Sequence, residues 1–338
     1  MRQNLAVKYR PKTFEDVVGQ SLTTQILQQA VLKRNFKNCY LFAGDSGCGK
    51  TTLARCFANA INQGLGSPIE MDAASSNGVE DVRAIIEAAK TRAIDSEYKI
   101  FIIDECHAIT TAGWQAYLKS LEDTPPYTIY IFCTTEPNKI PVTVLNRMQR
   151  YNITKISAAE IKSRLLAICQ AEGFTNYEAA CDLISKTSHG CMRDAIMKLG
   201  QCSDFNSDLS LANVEQILNT SYYNAMCYLT QALIQKADPE VLYAIDKLYT
   251  SGTDLKSFIE VYIEFILDLA KYAIFQDLSI TNLPEYLVPH LNSIIAIIPE
   301  RLWYTRLVDT LLQIKLETRY DSFYKSTIEA FLLRFCLS

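Results

Sequence analysis

Apolar and polar positions along this chain fall into two regimes. Up to about residue 150, short unbroken apolar runs alternate with stretches of helical spacing. Cys39-Tyr40-Leu41-Phe42-Ala43, Ile100-Phe101-Ile102-Ile103 and Thr128-Ile129-Tyr130-Ile131-Phe132-Cys133 have the length and continuity of strands buried on both faces. Ile69-Glu70-Met71-Asp72 is a shorter strand candidate. Helices are expected between them over 21–33, 52–60, 79–92 and 112–122, with Asn77 and Glu80 read as a capping pair for the third. Strands joined by crossovers of about 20–30 residues predict an α/β domain with a parallel sheet. Residues 5–20 read as irregular, Arg10-Pro11 forcing an extended backbone. After Tyr151-Asn152-Ile153-Thr154 the spacing becomes helical almost throughout. It predicts helices over 158–172, 178–188 and 192–201, a polar linker over 203–208, and an all-helical block from about Leu211 onward.

Composition narrows the class. With 338 residues the chain holds two or three domains. A net charge of −4 means that any nucleic-acid contact must come from a local basic patch. The eleven cysteines are scattered with no C-x-x-C pair, and Cys39, Cys133, Cys169 and Cys336 sit in apolar runs as small hydrophobes. That usage fits a reduced intracellular compartment. Met1-Arg2-Gln3-Asn4 opens no apolar leader, so no signal peptide is expected. The most hydrophobic stretch, Phe258 to Phe275, carries Glu260, Glu264, Asp268 and Lys271 at helical spacing. It reads as one polar stripe on a buried helix, and not as a membrane span.

The candidate chemistry is in the first regime. Gly44-Asp45-Ser46-Gly47-Cys48-Gly49-Lys50-Thr51 is a G-x-x-x-x-G-K-[ST] loop, preceded by a strand run and followed by a helical pattern from Thr52. Glycines let backbone N–H groups curl around phosphates, and the helix N-terminus adds partial positive charge. Lys50 would reach the β- and γ-phosphates, and the Thr51 hydroxyl would ligate Mg²⁺. Asp104-Glu105 ends the next central strand at the edge where open α/β sheets bind ligands. Asp104 there can hold the Mg²⁺ shell, and Glu105 can polarise an attacking water. Thr134-Thr135-Glu136 ends a further strand, where a polar side chain can touch the γ-phosphate; a plain strand-ending turn fits equally well. His107 reads as a wall position beside this site.

Longer runs carry a family resemblance. Lys8-Tyr9-Arg10-Pro11-Lys12-Thr13-Phe14 with Val18-Gly19-Gln20 resembles the nucleotide-base-binding opening of the AAA+ clamp-loader ATPases. Asp72-Ala73-Ala74-Ser75-Ser76-Asn77-Gly78-Val79, Leu118 to Pro126, Thr134 to Pro141 and Gly190-Cys191-Met192-Arg193-Asp194-Ala195 resemble the bacterial DNA polymerase III gamma/tau subunits. The likeness is dense over residues 5–200. It implies an α/β P-loop AAA+ domain (1–154), a helical lid (155–205) and a helical collar for oligomerisation (206–338). It also implies ATP contacts from Ala6, Tyr9, Arg10, Pro11, Val18 and the loop from Gly44 to Thr52. Thr135 would be sensor 1 and Arg193 sensor 2. Arg147, in Asn146-Arg147-Met148, would complete a neighbouring subunit's site; the family has Ser and Cys where Asn146 and Met148 stand. The implied cofactors are ATP and Mg²⁺. The implied partners are a sliding clamp, primer–template DNA held by its backbone, and other loader subunits or copies in a pentameric ring, with no membrane. Family members carry a zinc module before the Asp-Ala-Ala strand; Ile61 to Pro68 holds no cysteine or histidine, so zinc is not expected. That difference, and an end at residue 338 that leaves no room for the family's tail, fit a reduced bacterial or phage-encoded loader in the cytoplasm.

Some readings stay open. Arg83, Lys90 and Arg92 could face DNA phosphates, although a solvated helix face suits them better. A structural subunit with a silent site is opposed by complete Lys50, Thr51, Asp104 and Glu105. A Holliday-junction helicase motor or an initiator ATPase would share the P-loop, acidic pair and sensors, and the Asp-Ala-Ala-Ser-Ser-Asn-Gly run argues against both.

Overall fold

A computed structural model describes residues 4–218, 222–298 and 300–337; the opening Met1 to Gln3, read above as lacking a leader, and the last residue of the helical block lie outside the described residues. Five strands, β1 (Cys39–Ala43), β2 (Ile69–Asp72), β3 (Lys99–Asp104), β4 (Thr128–Thr134) and β5 (Gln149–Asn152), form one parallel sheet in the order β2-β3-β4-β1-β5. The strand carrying the glycine loop therefore lies beside β4, with Leu41 opposite Phe132. On its other side Phe42 lies opposite Tyr151 of β5. The sequence pattern misses β5 as a strand: only Tyr151 of its four residues is buried, so no apolar run marks it.

Helices in this part of the chain are α1 (Leu5–Lys8), α2 (Ser21–Leu32), α3 (Lys50–Ile61), α4 (Val79–Ala89), α5 (Thr111–Glu122), α6 (Val142–Leu145), α7 (Ala158–Glu172), α8 (Glu178–Thr187) and α9 (Met192–Phe205). Successive strand side chains point to opposite faces, so each buried strand supplies two cores. On one face Tyr40, Phe42, Ile102 and Ile131 pack with Leu27 of α2 and with Leu53 and Phe57 of α3. On the other, Leu41, Phe101, Ile103 and Phe132 pack with Val82 of α4 and with Trp114 and Tyr117 of α5. Each fully buried side chain of this kind contributes about 1.5–3 kcal/mol. The strands flanking the glycine loop are thus held rigidly, while β2, mostly exposed, is held by its pairing with β3.

Several local expectations are corrected. Residues 5–20 are not irregular throughout: Asn4 Oδ1 caps α1 at the Ala6 N–H (2.8 Å), and Phe14–Asp16 forms a 3-10 turn. The cap of α4 is Gly78, whose N–H donates to Asp81 Oδ2 at 3.1 Å, one residue beyond the expected Asn77–Glu80 pair. That helix stops at Ala89. Lys90 is its C-cap, and Arg92 lies past the end. Helix α9 continues through Ser203-Asp204-Phe205, and the remainder of the expected linker pairs back, Ser207 O accepting the Thr175 N–H at 3.1 Å.

The chain divides into two compact units, Met1–Ala171 with Ser188–Gly200, and Glu172–Thr187 with Gln201–Ser338. The second unit adds α10 (Leu211–Ile217), α11 (Tyr222–Ile234), α12 (Asp238–Thr250), α13 (Leu255–Phe275), α14 (Val288–Ile297), α15 (Leu302–Glu317) and α16 (Tyr324–Leu337). Its core is built on α13, where Phe258, Tyr262 and Phe265 stack in sequence. The polar stripe of α13 differs from expectation at Asp268, which is buried; it accepts from Lys271 Nζ (2.7 Å) and from the Asn282 N–H (2.9 Å). Within the same unit, Lys186 of α8 donates to Leu283 O (2.6 Å) and pairs with Asp182 (3.2 Å). No described helix is long and apolar enough to cross a membrane.

Candidate active site

The glycine loop leaves β1 at the strand's C-terminal end, and its N–H at Gly44 donates to Thr134 O at the tip of β4 (3.1 Å). A Cβ at Gly44 would meet Ile153 O at 2.1 Å, so the backbone there can pass only as glycine. Gly47 (φ +71°) and Gly49 (φ +102°) adopt the left-handed conformation that turns the chain into α3. The loop thus ends on the N-terminus of a twelve-residue helix, a ready anion site. Lys50 is buried, and its ammonium group donates to the carbonyls of Gly44 (3.0 Å) and Asp45 (2.9 Å).

The residue after it meets the end of β3. Thr51 Oγ1 donates to Asp104 Oδ2 at 2.7 Å, and Asp104 Oδ1 accepts the Glu105 N–H at 3.0 Å. Hydroxyl and carboxylate, 53 positions apart in sequence, therefore occupy one point, and hard oxygen donors of this kind suit Mg²⁺. Glu105 follows in a left-handed conformation (φ 45°, ψ 42°), and its Oε2 accepts from Thr135 Oγ1 at 3.2 Å. Lys50 and Thr51 at the start of α3, Asp104 and Glu105 at the end of β3, and Thr135 just past β4 thus gather at one sheet edge.

Beside them an open cleft is lined by Ala6, Tyr9, Arg10, Pro11, Val18, Gly47, Cys48, Gly49, Thr52 and Arg193 of the expected set. Asp45 and Ser46 are on the exposed crown of the loop, Asp45 within 3.5 Å of Lys155 Nζ. Six further lining residues, Asp16, Val17, Ile156, Arg164, Met192 and Ile196, fall outside the set expected at the site; of these only Met192 lies in a quoted motif, beside Arg193, and tertiary packing brings in the rest. One signal was available: Arg164 reaches back to Tyr9 O (3.3 Å), and α7 carries that arginine among apolar positions. The opening segment is held in place by Gln20, whose amide brackets the backbone of Thr154 (2.7 and 3.3 Å). Arg10 has its pKa lowered by partial burial and then by the nearby guanidiniums of Arg55 and Arg193, with Glu70 and Asp104 offsetting part of this. Several positive charges held this close favour an anionic occupant.

The other expected residues lie elsewhere. Arg147, on the turn after α6, is exposed; it donates to Thr143 O (2.6 Å), pairs with Glu122 and does not line the cleft. Arg83 pairs with Glu80 (2.6 Å), Lys90 with Glu87 (2.6 Å), and Arg92 stacks over the Tyr127 ring at 4.9 Å. All three take part in local contacts.

Several known proteins have similar chains. A family model described as DNA polymerase III, delta subunit, matches residues 68–157. DNA polymerase III subunit tau of Bacillus subtilis is 34% identical over 288 residues, 78% of this chain and 51% of the relative. The gamma/tau subunit of Mycoplasma genitalium is 31% identical over 308 residues, 84% and 52% of the two chains. The tau subunit of Escherichia coli is 28% identical over 279 residues, 76% and 43%. Among solved structures, the RuvB Holliday junction branch migration motor of Thermotoga maritima superposes with a TM-score of 0.53 at 20% identity, covering 73% of this chain and 86% of its own. That likeness shows the fold alone. The chain spans about half the length of the curated relatives it matches. With the loop, the acidic pair and the strand-tip threonine on one edge, the chain is similar over most of its length to DNA polymerase III gamma and tau subunits.

Proposed function

We propose that this chain is an ATPase subunit of a sliding-clamp loader, binding ATP in the cleft beside the glycine loop. The observation that carries the reading is the 2.7 Å contact between Thr51 and Asp104, which puts both oxygen donors where a P-loop ATPase needs them. Thr51 and Asp104 would hold Mg²⁺, which would supply positive charge against the charge that develops in phosphoryl transfer. Lys50 exchanges its two carbonyl partners for phosphate oxygens, with which it forms charge-assisted bonds. Glu105 orients water for in-line attack on the terminal phosphorus, the bridging oxygen leaving on ADP. Thr135 reads the γ-phosphate, and Arg193 closes on the nucleotide from α9.

In this reading residues 1–154 form the ATPase domain, 155–205 a lid and 206–338 a collar that joins subunits into a ring of five. Arg147 completes the site of the next subunit, so hydrolysis awaits assembly. The partners are the clamp and primed DNA, gripped through phosphates without base reading, with Arg83, Lys90 and Arg92 as the weaker candidates for that contact. The setting is the interior of a bacterial or phage-infected cell, and no zinc is required.

Clamp retention on primed, closed circular DNA tests the reading. ATP-dependent retention is expected with the chain and its partner subunits, and none with Lys50→Ala. Retention that ignores ATP would contradict it. A second reading, a branch-migration motor, would use the same fold. Strand separation by the purified protein would favour that motor, since a loader leaves duplexes paired.

A further inference from the structure

Among the described residues, two contacts reach the Glu105 carboxylate from outside its own backbone, and one of them comes from a residue with an assigned role. Thr135 supplies the first. His107 supplies the other, from the 3-10 turn Cys106–Ala108. Its ring is 18% exposed, with Nδ1 at 3.4 Å from Glu105 Oε2 and 3.1 Å from Thr134 Oγ1, and Nε2 at 3.5 Å from Glu136 Oε1.

We propose that His107 is a positioning residue that aims the Glu105 carboxylate from the tip of β4. The inference deepens the ATPase reading above and rests on it. Glu105 has the backbone conformation that side chains other than glycine rarely adopt, and such a conformation persists only where the surroundings enforce it. Its N–H is tied to Asp104, but its carboxylate is one-third exposed. A single long hydrogen bond from Thr135 leaves rotamer freedom in such a side chain; a second group on the same oxygen removes it. His107 also connects that oxygen to the phosphate loop. The residue whose hydroxyl meets the imidazole, Thr134, is the one whose carbonyl holds the Gly44 N–H. The same hydroxyl accepts the Glu136 N–H at 3.0 Å, so the strand tip is fixed while it holds the ring. The carboxylate and the loop are thereby set from one residue of β4.

The test uses the full chain, with whatever partner subunits, clamp and primed DNA its turnover requires. Four variants are compared: His107→Ala, His107→Asn, His107→Phe and Glu105→Gln. Steady-state turnover is read beside the affinity for a fluorescent ATP analogue. His107→Ala is expected to keep that affinity within about twofold while kcat falls about tenfold or more, the loss that misplacing a catalytic group produces. Asparagine places an amide nitrogen near the position of Nδ1 and is expected to recover most of the rate. Phenylalanine fills the space without a hydrogen bond and is expected to remain as slow as alanine. In a Glu105→Gln background, His107→Ala is expected to change nothing, because the group it aims is already gone. Unchanged turnover in His107→Ala would overturn the proposal. So would rescue by phenylalanine, or loss of affinity in step with rate, since either would make His107 a packing wall. Wild-type turnover that Lys50→Ala abolishes establishes the underlying reading in the same experiment. A wild-type protein with no turnover overturns that reading, and this proposal with it.

Discussion

Single residues set the phosphate edge, and glycine chemistry there is unforgiving. Gly47 combines a left-handed φ with a close neighbour, since a Cβ would sit 2.0 Å from Cys191 Sγ. Gly47→Ala is expected to lower stability by about 1–3 kcal/mol in urea unfolding and to abolish binding of a fluorescent ATP analogue. Wild-type values for both would show that the loop reshapes freely. Asp104→Asn is expected to keep the fold but remove the dependence of nucleotide affinity on Mg²⁺, read by titration with and without chelator. The glycine loop and the acidic pair are legible in sequence because a fixed spacing forces those residue types. His107 is not. Its contacts with Thr134 and Glu136 arise from the β3–β4 register, which no local pattern states.

Elements built on unbroken apolar runs are the ones that sequence reading locates: β1, β3 and β4 lie within a residue of expectation. Strand β5 escapes because backbone pairing to β1, and not hydrophobicity, makes it a strand. Helix ends are missed where side chains compete for the cap, as Asp81 does at Gly78, or where polar residues continue a helix, as in α9. Helix α8 offers a test at this scale. Its Asp182–Lys186 pair is nearly enclosed, and Asp182 also accepts the Glu285 N–H at 3.3 Å. Asp182→Ala leaves the ammonium group short of a counter-charge and is expected to cost about 3–5 kcal/mol. Adding Lys186→Met should recover part of that loss, as measured by thermal unfolding. A double variant less stable than the single one would contradict this account of the pair.

At the level of the whole molecule, the cysteines behave as the sequence suggests. All eleven are free thiols, ten are buried, and Cys191 is partly exposed. Burial pushes the thiols of Cys56 and Cys227 up to about 12, and those of Cys202 and Cys336 up to about 11. Thiol labelling near pH 8 is therefore expected to modify one cysteine quickly in the native protein and all eleven in denaturant. Rapid labelling of several native thiols would mean that a core opens readily. The architecture as a whole was legible because two hydrophobic periods, one for strands and one for helices, change over near residue 150. Where the compact units divide was not, since tertiary contacts assign α8 to the second unit while α7 and the first part of α9 stay with the first.

The measurement that bears most directly on the central claim is steady-state ATP hydrolysis with the cognate clamp, with and without primed DNA. Turnover is expected to be low for the chain alone, to rise about tenfold or more only when clamp and primed DNA are both present, and to collapse in Arg147→Ala. Turnover indifferent to both clamp and DNA would contradict the loader reading, and full activity in Arg147→Ala would remove the intersubunit role of that arginine.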